Sequence, residues 1–292
     1  MIISNVIGGL GNQMFQYAAG RALSLRTNQA FAINTLEFNH YNLHNGYELH
    51  RVFDLQVPIA SKSDLTDVIG WPAATTLEYR LPSRLTKILS GAQYYGEESF
   101  GYSRKFLHLE GSKYLHGYWQ SEKYFKDYAD SIRKDFLFKE RMTLGNEKIY
   151  DQIKNSCSVS CHIRRGDYVN NLKANQIHGT CSVEYYRNAI RWIKESLNNP
   201  RFFIFSDDQD WVVRNLAFPA NSIFINGNSG INSFRDMQLM SLCQHHIIAN
   251  SSFSWWGAWL NSSESKLVVA PRKWFAADID DIDLIPVEWT RL

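Results

Sequence analysis

The sequence lacks any long apolar run, and nowhere do the roughly 18 consecutive apolar residues of a membrane-spanning helix occur. It also lacks an excess of charge of one sign, since 31 Lys and Arg residues stand against 29 Asp and Glu residues. This balance removes the general electrostatic reason to expect nucleic acid as a partner. The opening MIISNVIGGLGNQ carries neither the positive segment nor the apolar run of a signal peptide. We therefore expect a cytoplasmic protein.

Cysteine is scarce, and its four copies do not form the close pairs of a zinc site; they are Cys157, Cys161, Cys181 and Cys243. Cys161 is followed directly by His162, so in a strand these two side chains point to opposite faces of the sheet. We interpret the cysteines as buried thiols, because free cysteine behaves as a small hydrophobic residue. The sequence predicts no metal site.

The second half of the chain alternates between short apolar runs and amphipathic segments. This pattern predicts strands at 159–163, 202–205, 222–225, 246–249 and 267–270, and helices at 183–197, 209–216, 233–243 and 253–260. Such alternation is typical of a doubly wound α/β domain with a parallel sheet. The length of 292 residues favours two domains. A polar stretch at 140–146 sets the predicted boundary, which gives domains of residues 1–145 and 146–292.

The first half is less regular. The pattern predicts a strand at residues 2–7 and a loop at GGLGN. It predicts a helix from there to about Arg26. A second strand is predicted at 31–33 and a strand end at 114–119, while Ser121 has the features of a helix start. Residues 34–82 show no clear pattern, and we expect them to be irregular.

Polar segments follow several predicted strands. Ligands of open parallel sheets bind at the carboxyl ends of the strands, so these segments are the candidate site. They are GGLGNQ after the first strand, HIRRGDY after 159–163, SDD after 202–205 and NSS after 246–249. We expect all four to face one cleft.

Each of these segments also has a purely structural interpretation. The glycine loop could bring backbone N–H groups to an anion at a helix start, or it could simply be a tight turn. Arg164 and Arg165 could bind a diphosphate, or form a solvated salt bridge with Asp167. Asp207 and Asp208 could accept hydrogen bonds from the N–H groups of guanine or from a ribose hydroxyl. Asp208 could instead cap the next helix.

The run ANSSFSWWGAWL places small polar residues at a predicted helix start, with Asn250, Ser251 and Ser252 as candidate ligand contacts. The large aromatic residues that follow, Trp255, Trp256 and Trp259, have the spacing of core residues.

Five segments in order, GGLGNQMFQYAAGRAL, GYWQSEKYF, HIRRGDY, FSDDQDW and ANSSFSWWGAWL, resemble the bacterial and animal α-1,2-fucosyltransferases of glycosyltransferase family 11. They run from residue 8 to residue 260, so the resemblance covers most of the chain. It implies an α/β GT-B architecture, in which two Rossmann-like domains face each other across a cleft. The first domain would bind the acceptor and the second GDP-fucose.

The resemblance also implies roles for individual residues. His162, Arg164 and Arg165 match positions that contact the diphosphate, and Asp207 matches an acidic position near guanine. The other implied donor contacts are Gly9, Gly11, Asn12 and Gln13 in the glycine loop, and Asn250, Ser251 and Ser252 near the nucleotide.

The implied reaction is an inverting, metal-independent transfer of L-fucose from GDP-β-L-fucose to the 2-hydroxyl of a β-galactoside. Arg164 and Arg165 would stabilise the leaving group, and Asp167 is the first candidate for a catalytic base. The alternative candidates for the base are Glu97, Glu98 and Glu122. Where the acceptor is a lipid-linked glycan, a peripheral contact with the inner membrane is expected.

Two other functions stay open at this point. The chain could be a GT-B transferase that uses a different nucleotide sugar. It could also be a carbohydrate-binding protein without catalysis, which its many aromatic residues would suit.

Overall fold

The computed structural model of the chain describes residues 1–41, 43–78, 83–166 and 172–292, with the side chains of 172–174 excepted. The chain divides into two compact units. The first comprises Met1–Glu140 with Ile282–Leu284, and the second comprises Arg141–Asp281 with Ile285–Leu292. The division falls between Glu140 and Arg141, near the predicted boundary at 145/146, but Ile282–Leu284 belong to the first unit.

The first unit is built on a four-stranded sheet in the order β2-β1-β4-β3, with every pair of strands parallel. Its strands are β1 (Ile2–Asn5), β2 (Phe31–Asn34), β3 (Tyr94–Gly96) and β4 (Lys113–His116). Its α-helices are α1 (Leu10–Thr27), α2 (Leu49–Val52), α3 (Lys62–Ile69), α4 (Trp71–Glu78), α5 (Ser83–Ser90) and α6 (Ala129–Asp135). Short 3₁₀ helices lie at Leu36–His40, Gly91–Gln93, Arg104–His108, Glu122–Tyr124 and Lys126–Tyr128.

The second unit is built on a six-stranded parallel sheet in the order β10-β9-β8-β5-β6-β7. Its strands are β5 (Ser158–Ile163), β6 (Arg201–Ser206), β7 (Ile223–Phe224), β8 (His245–Ile247), β9 (Val268–Ala270) and β10 (Thr290–Arg291). Its α-helices are α7 (Leu144–Lys154), α8 (Leu172–His178), α9 (Val183–Ser196), α10 (Gln209–Asn215), α11 (Phe234–Leu242) and α12 (Ser252–Leu260), with a 3₁₀ helix at Gly230–Asn232.

Helices cover both faces of the second sheet, so the inner residues of β6, 202–205, are all apolar and fully buried. Alternate residues of β6 enter two different clusters: Phe202 and Ile204 pack with α9, whereas Phe203 and Phe205 pack with α11. Cys161 of β5 lies in the first of these clusters and is fully buried. All four cysteines are free, and Cys161, Cys181 and Cys243 are buried as predicted, whereas Cys157 is only partly buried.

The strand orders place a switch point in each sheet. In the second sheet the chain runs outward from β5 through β6 to β7, and then crosses to β8 on the other side of β5. This is the strand order of dinucleotide-binding domains, in which ligands bind at the carboxyl ends of the two strands flanking the switch. The corresponding pair in the first sheet is β1 and β4.

The first half is more ordered than its sequence pattern predicts. Residues 34–82, which we expected to be irregular, contain α2, α3 and α4. Ser61 begins α3 with a capping box, in which its hydroxyl accepts from Asp64 N and the Asp64 carboxylate accepts from Ser61 N. These helices are short, so few apolar residues repeat along them and the periodicity is weak. The helix predicted at Ser121 begins instead as two 3₁₀ turns before α6.

No helix of the described residues is long and apolar enough to cross a membrane.

Candidate functional site

The two arginines of HIRRG lie at the carboxyl end of β5 and are held by a carboxylate from the neighbouring strand. Because Ile163 pairs with Ser206, the residues after β5 lie beside those after β6. Asp207 Oδ1 accepts from Arg165 N at 2.8 Å, and Asp207 Oδ2 accepts from Gly166 N at 3.1 Å. The Arg164 guanidinium is 3.1 Å from Asp207 Oδ2. The loop is therefore fixed through both its backbone and its charge.

Asp208 and Trp211 hold the second arginine. Arg165 Nε is 3.3 Å from Asp208 Oδ2, and its guanidinium lies 4.0 Å from the centre of the Trp211 ring. Asp208 Oδ1 accepts from Trp211 N at 3.1 Å, so Asp208 also caps α10, as its capping interpretation predicted. Arg165 is thus held in one orientation, with its side chain 18% exposed.

Both carboxylate oxygens of Asp207 are engaged by the arginine loop, which gives this residue a positioning role. The contact with guanine that family resemblance implies for Asp207 stays a prediction. The salt bridges of the arginine pair in the described residues run to Asp207 and Asp208. Asp167, the predicted partner and candidate base, lies outside the described residues.

His162, the next-to-last residue of β5, is buried and uncharged. Burial, and after it the charge of Arg164, lowers the pKa of His162 to about 3. Its Nδ1 has no hydrogen-bond partner among the residues that the structure describes. The ring lies 5.9 Å from that of Phe253 in the first turn of α12. Because buried polar atoms are almost always paired, an orphaned Nδ1 at this edge suits a ligand contact.

The start of α12 lies at the other strand of the switch point, after β8. Ser251 is the N-cap residue, its hydroxyl makes no capping hydrogen bond, and Ser252 is half-buried. The first N–H groups of a helix have no partner within it, so this end can receive an anion. Both serines therefore lie at a helix start, as predicted, and their contact with a nucleotide stays a prediction.

Asn250 is used within the fold instead. Its Nδ2 is within 3.2 Å of the carbonyl oxygens of His178, Gly179 and Trp274, and its Oδ1 accepts from Cys181 Sγ at 3.4 Å. With 4% of its surface exposed, it fits a positioning role better than the predicted ligand contact. Trp255, Trp256 and Trp259 are buried against one another, as predicted.

The glycine-rich loop of the first unit joins β1 to α1. Gly8 has a φ of +88°, in the region that side chains with a Cβ avoid, and Gly9 is the N-cap of α1. The Gln13 side chain donates to the carbonyls of Gly8 and Gly46 and accepts from Glu48 N. Gln13 is fully buried and hydrogen-bonded within the fold, which fits a structural role better than the predicted donor contact. Gly11 is also buried.

Asn12, in the first turn of α1, is a half-buried polar residue beside this loop. Its Oδ1 accepts from Gln120 Nε2 at 2.8 Å, and Gln120 follows β4, the other strand of the first sheet's switch point. This bond sets the amide orientation and makes Nδ2 the end that can donate.

Of the alternative candidates for the base, Glu97 is already hydrogen-bonded to the backbone. Its carboxylate accepts from Tyr118 N at 2.7 Å and from Trp119 N at 3.0 Å. Burial raises the pKa of Glu97, and these two bonds partly offset the rise. Glu97 therefore positions the loop after β4. Glu98 is 78% exposed.

Sequence reasoning missed Trp211 and Phe253 as parts of this site. Trp211 falls one helical turn after the cap residue Asp208, so the motif SDDQDW contains the signal. Phe253 could be recognised only from the pairing of β5 with β8, which brings α12 beside His162.

Within the described ranges, no group of three or more His, Cys, Asp or Glu residues could hold a metal ion.

The family model of glycosyl transferase family 11 matches residues 97–291. The chain is 36% identical to an α-1,2-colitosyltransferase of Escherichia coli, over 100% of this chain and 99% of that protein. It is 34% identical to an O-antigen biosynthesis glycosyltransferase of Escherichia coli, over 93% of this chain and 94% of that protein. A galactoside α-(1,2)-fucosyltransferase of Plecturocebus brunneus is 22% identical over 88% of this chain and 64% of that protein.

Among solved structures, the crystal structure of the fucosyltransferase NodZ from Bradyrhizobium is similar, with a TM-score of 0.53 and 12% identity. The match covers 88% of this chain and 92% of that one. A structure of NodZ as an α-1,6-fucosyltransferase soaked with GDP-fucose matches with a TM-score of 0.52. At this level of identity the likeness shows the fold, and it confirms the predicted α/β GT-B class.

The family model covers most of the chain, and two relatives above 30% identity cover nearly all of it. The chain therefore belongs to glycosyl transferase family 11 and is a glycosyltransferase.

Proposed function

We propose that the chain transfers L-fucose from GDP-β-L-fucose to the 2-hydroxyl of a terminal β-galactoside, with inversion and without a required metal ion. One observation carries this proposal: the Arg164–Arg165 pair lies at the switch point of the second sheet, where Asp207, Asp208 and Trp211 fix it. Two guanidinium groups held at a strand end suit a diphosphate, since each offers a planar fork of donors.

Inversion implies a single displacement. The acceptor oxygen forms a bond to the anomeric carbon as the bond from that carbon to the β-phosphate oxygen breaks, and the electron pair leaves with GDP. The two arginines would stabilise the charge that builds up on the leaving diphosphate, which is the role a divalent cation serves elsewhere. Because they are already fixed in place, little reorganisation is needed during the reaction.

The remaining donor contacts follow from the same edge of the sheet. We propose that His162 Nδ1 and the start of α12 at Ser251 and Ser252 bind the nucleotide, and that Asp207 and Asn250 act by positioning their neighbours. In the first unit, Gly9 and the Asn12 amide would contact the donor. The hydroxyl proton of the acceptor would pass to a base, for which Asp167, Glu98 and Glu122 stay candidates.

A second donor is favoured by a specific observation, the 36% identity to an α-1,2-colitosyltransferase. Colitose is L-fucose without its 3-hydroxyl, so the two sugars differ by one hydrogen-bonding group. A site that hydrogen-bonds the 3-hydroxyl would reject the deoxy sugar strongly, whereas an apolar wall there would discriminate weakly.

A donor panel tests the proposal directly. The panel is GDP-fucose, nucleotide-activated colitose, GDP-mannose and UDP-sugars, each offered with a set of β-galactosides, and products are identified by mass spectrometry and NMR. Transfer of fucose to the 2-hydroxyl supports the proposal. Preference for activated colitose would show that the proposed donor, GDP-fucose, is wrong. Galactoside binding without turnover, independent of GDP, would point to a carbohydrate-binding protein.

The arginine role has its own test. We expect Arg164→Ala and Arg165→Ala each to lower kcat/KM by about 100-fold or more, the cost of removing one donor from a charge-stabilising site. Arg165→Lys should recover little, since an ammonium group lacks the planar fork that stacks on Trp211. Arg191→Ala, on the exposed face of α9, is the matched control. Near-normal turnover in either folded alanine variant would refute the assignment.

A further inference from the structure

Four polar side chains meet at the carboxyl edge of the first sheet, separate from the glycine loop. Asn5 ends β1, Asn34 ends β2, His116 ends β4, and Glu37 lies in the 3₁₀ helix after β2. Asn5 Nδ2 donates to Glu37 Oε1 at 2.7 Å, and Asn34 Nδ2 donates to Asn5 Oδ1 at 2.9 Å. The parallel register of β1 with β2 and β4 brings them together, because their carboxyl ends share one edge.

The inner members of this group are supports. Asn5 and Asn34 are 2% and 1% exposed, and the buried Tyr114 hydroxyl bonds both of them. The outer members are accessible: the side chain of Glu37 is 40% exposed and that of His116 is 35% exposed. A buried network thus holds the Glu37 carboxylate at the surface, with the His116 imidazole 3.9 Å away.

Glu37 and His116 are positioned to form hydrogen bonds with hydroxyl groups of a ligand. Glu37 Oε1 lies 3.9 Å from His116 Nε2, which is too long for a direct hydrogen bond. Burial lowers the pKa of His116, and the charge of Glu37 only partly offsets this. A carboxylate accepts from a hydroxyl, and a neutral imidazole can pair with the adjacent hydroxyl in either tautomer. Neighbouring hydroxyls are what a sugar ring presents.

An aromatic surface lies beside this pair. Tyr118, two residues after β4, is 38% exposed, and its ring is stacked on that of Phe100 at 6.3 Å with an angle of 7° between the planes. Burial raises the pKa of Tyr118, and the charges of Glu37 and Glu97 raise it further. Glu97 fixes the backbone of Tyr118 through its N–H. An exposed ring with a polar tip suits the apolar face of a saccharide.

We infer that this edge binds the acceptor saccharide. Glu37 and His116 form hydrogen bonds with hydroxyl groups of its terminal sugar, and Tyr118 packs against the face of the sugar ring. The inference rests on the proposed function, since it names the residues that recognise the acceptor. Recognition by hydroxyl pairing and ring contact identifies the ligand class as a neutral hexose at a chain end.

The test separates acceptor recognition from donor recognition. The variants are Glu37→Gln, His116→Gln, Tyr118→Leu and Tyr118→Phe. Gln at position 37 keeps the oxygen that Asn5 requires and removes only the charge. Glu110→Gln is the matched control, because Glu110 is exposed and precedes β4, at the opposite edge of the sheet. Circular dichroism and thermal melting check that each variant is folded.

We expect Glu37→Gln, His116→Gln and Tyr118→Leu each to raise the acceptor KM by about tenfold, the effect of losing one hydrogen bond or ring contact. The donor KM and the affinity for GDP should stay within about twofold, because none of these three side chains is among the proposed donor contacts. Tyr118→Phe should keep most of the acceptor affinity, and Glu110→Gln should match the wild type.

An unchanged acceptor KM in the three variants would overturn the inference while leaving the proposed transfer intact. If the wild type transfers no fucose, the proposed function fails, and saturation-transfer NMR with β-galactosides then decides the inference alone. Binding that is lost in Glu37→Gln and kept in Glu110→Gln would support it, and binding equal in both would refute it.

Discussion

At the scale of single residues, Asp207 and Asp208 are neighbours after β6 but have different structural roles. Asp207 holds the backbone of the arginine loop, and Asp208 holds both the Arg165 side chain and the start of α10. Neither role requires contact with a substrate. A charged residue beside a candidate ligand site can therefore matter because it fixes the groups that bind.

The first prediction concerns Asp207→Asn. The amide can accept one of the two backbone N–H groups but presents N–H to the other, and the charge opposite Arg164 is lost. We expect kcat/KM to fall about 10- to 100-fold, and stability to fall by about 1–3 kcal/mol, as expected when a hydrogen-bonded carboxylate is removed. Steady-state kinetics and urea unfolding measure the two effects. The exposed Asp210→Asn is the control, and equal activity in both variants would contradict the positioning role.

A second residue-scale prediction concerns pH. Burial raises the pKa of Asp236, in α11, to about 7, although a hydrogen bond from Asn228 opposes the rise. In the unfolded chain the pKa of this carboxyl lies near its ordinary value of 3.8, so the native state keeps the proton to higher pH. The native state is therefore destabilised as pH rises from about 4 to 7, at roughly 1 kcal/mol per pH unit, and the loss is constant above that.

Asp236→Asn removes this titration. Its free energy of unfolding should equal that of the wild type near pH 4 and exceed it increasingly up to about pH 7. Urea unfolding at a series of pH values tests this. A gain that is the same at every pH would show that Asp236 does not carry the effect.

At the scale of elements, α1 packs so closely on β1 and β2 that one position must lack a side chain. A Cβ at Gly20 would lie 2.6 Å from Phe31 Cε2 and 2.9 Å from Ser4 Cβ. Alanine normally favours a helix over glycine by about 1 kcal/mol. Here the crowding outweighs that preference, because Phe31 lies within β2 and cannot withdraw.

Gly20→Ala should therefore destabilise the first unit by about 1–2 kcal/mol, the net of an overpacking cost and a helix gain. Gly145→Ala is its counterpart, because Gly145 lies in the first turn of α7 with only Thr143 Oγ1 near, at 4.0 Å. That substitution should stabilise by about 0.5–1 kcal/mol. Chemical denaturation of both variants gives the comparison, and two changes of the same sign would contradict the packing explanation.

At the scale of the whole molecule, the last residues contribute to both units. Ile282–Leu284 belong to the first unit, where the Asp283 carboxylate accepts from Tyr102 N and pairs with Lys123, and the Asp283 carbonyl accepts from Ser121 Oγ. The residues after them supply β10 to the second sheet. The C-terminal segment therefore cannot be assigned to one domain.

Deletion of residues 282–292 should accordingly increase hydrogen exchange in both units, in the 3₁₀ turns near Ser121 and in β9. Asp283→Ala should increase exchange only in the first unit, because β10 stays paired with β9. Hydrogen exchange followed by mass spectrometry resolves the two regions. Unchanged exchange around Tyr102 and Ser121 in Asp283→Ala would refute the anchoring role.

The sequence by itself determined the family, the α/β class, and the alternation of the second half, because strand and helix periods are local and the motifs are contiguous. It also located the arginine pair at a strand end. It could not show that Asp207 holds that pair, since the contact depends on the register of β5 with β6 across about forty residues.

Tertiary structure alone decided which polar residues are supports and which are accessible. Gln13 and Asn250 are buried and hydrogen-bonded within the fold. Glu37, from a stretch without a clear pattern, and His116, from a predicted strand end, lie together at a sheet edge. Burial and strand order arise from packing between distant segments. The physical reason is that a polar residue's role depends on which partners the fold brings to it, and composition does not contain that information.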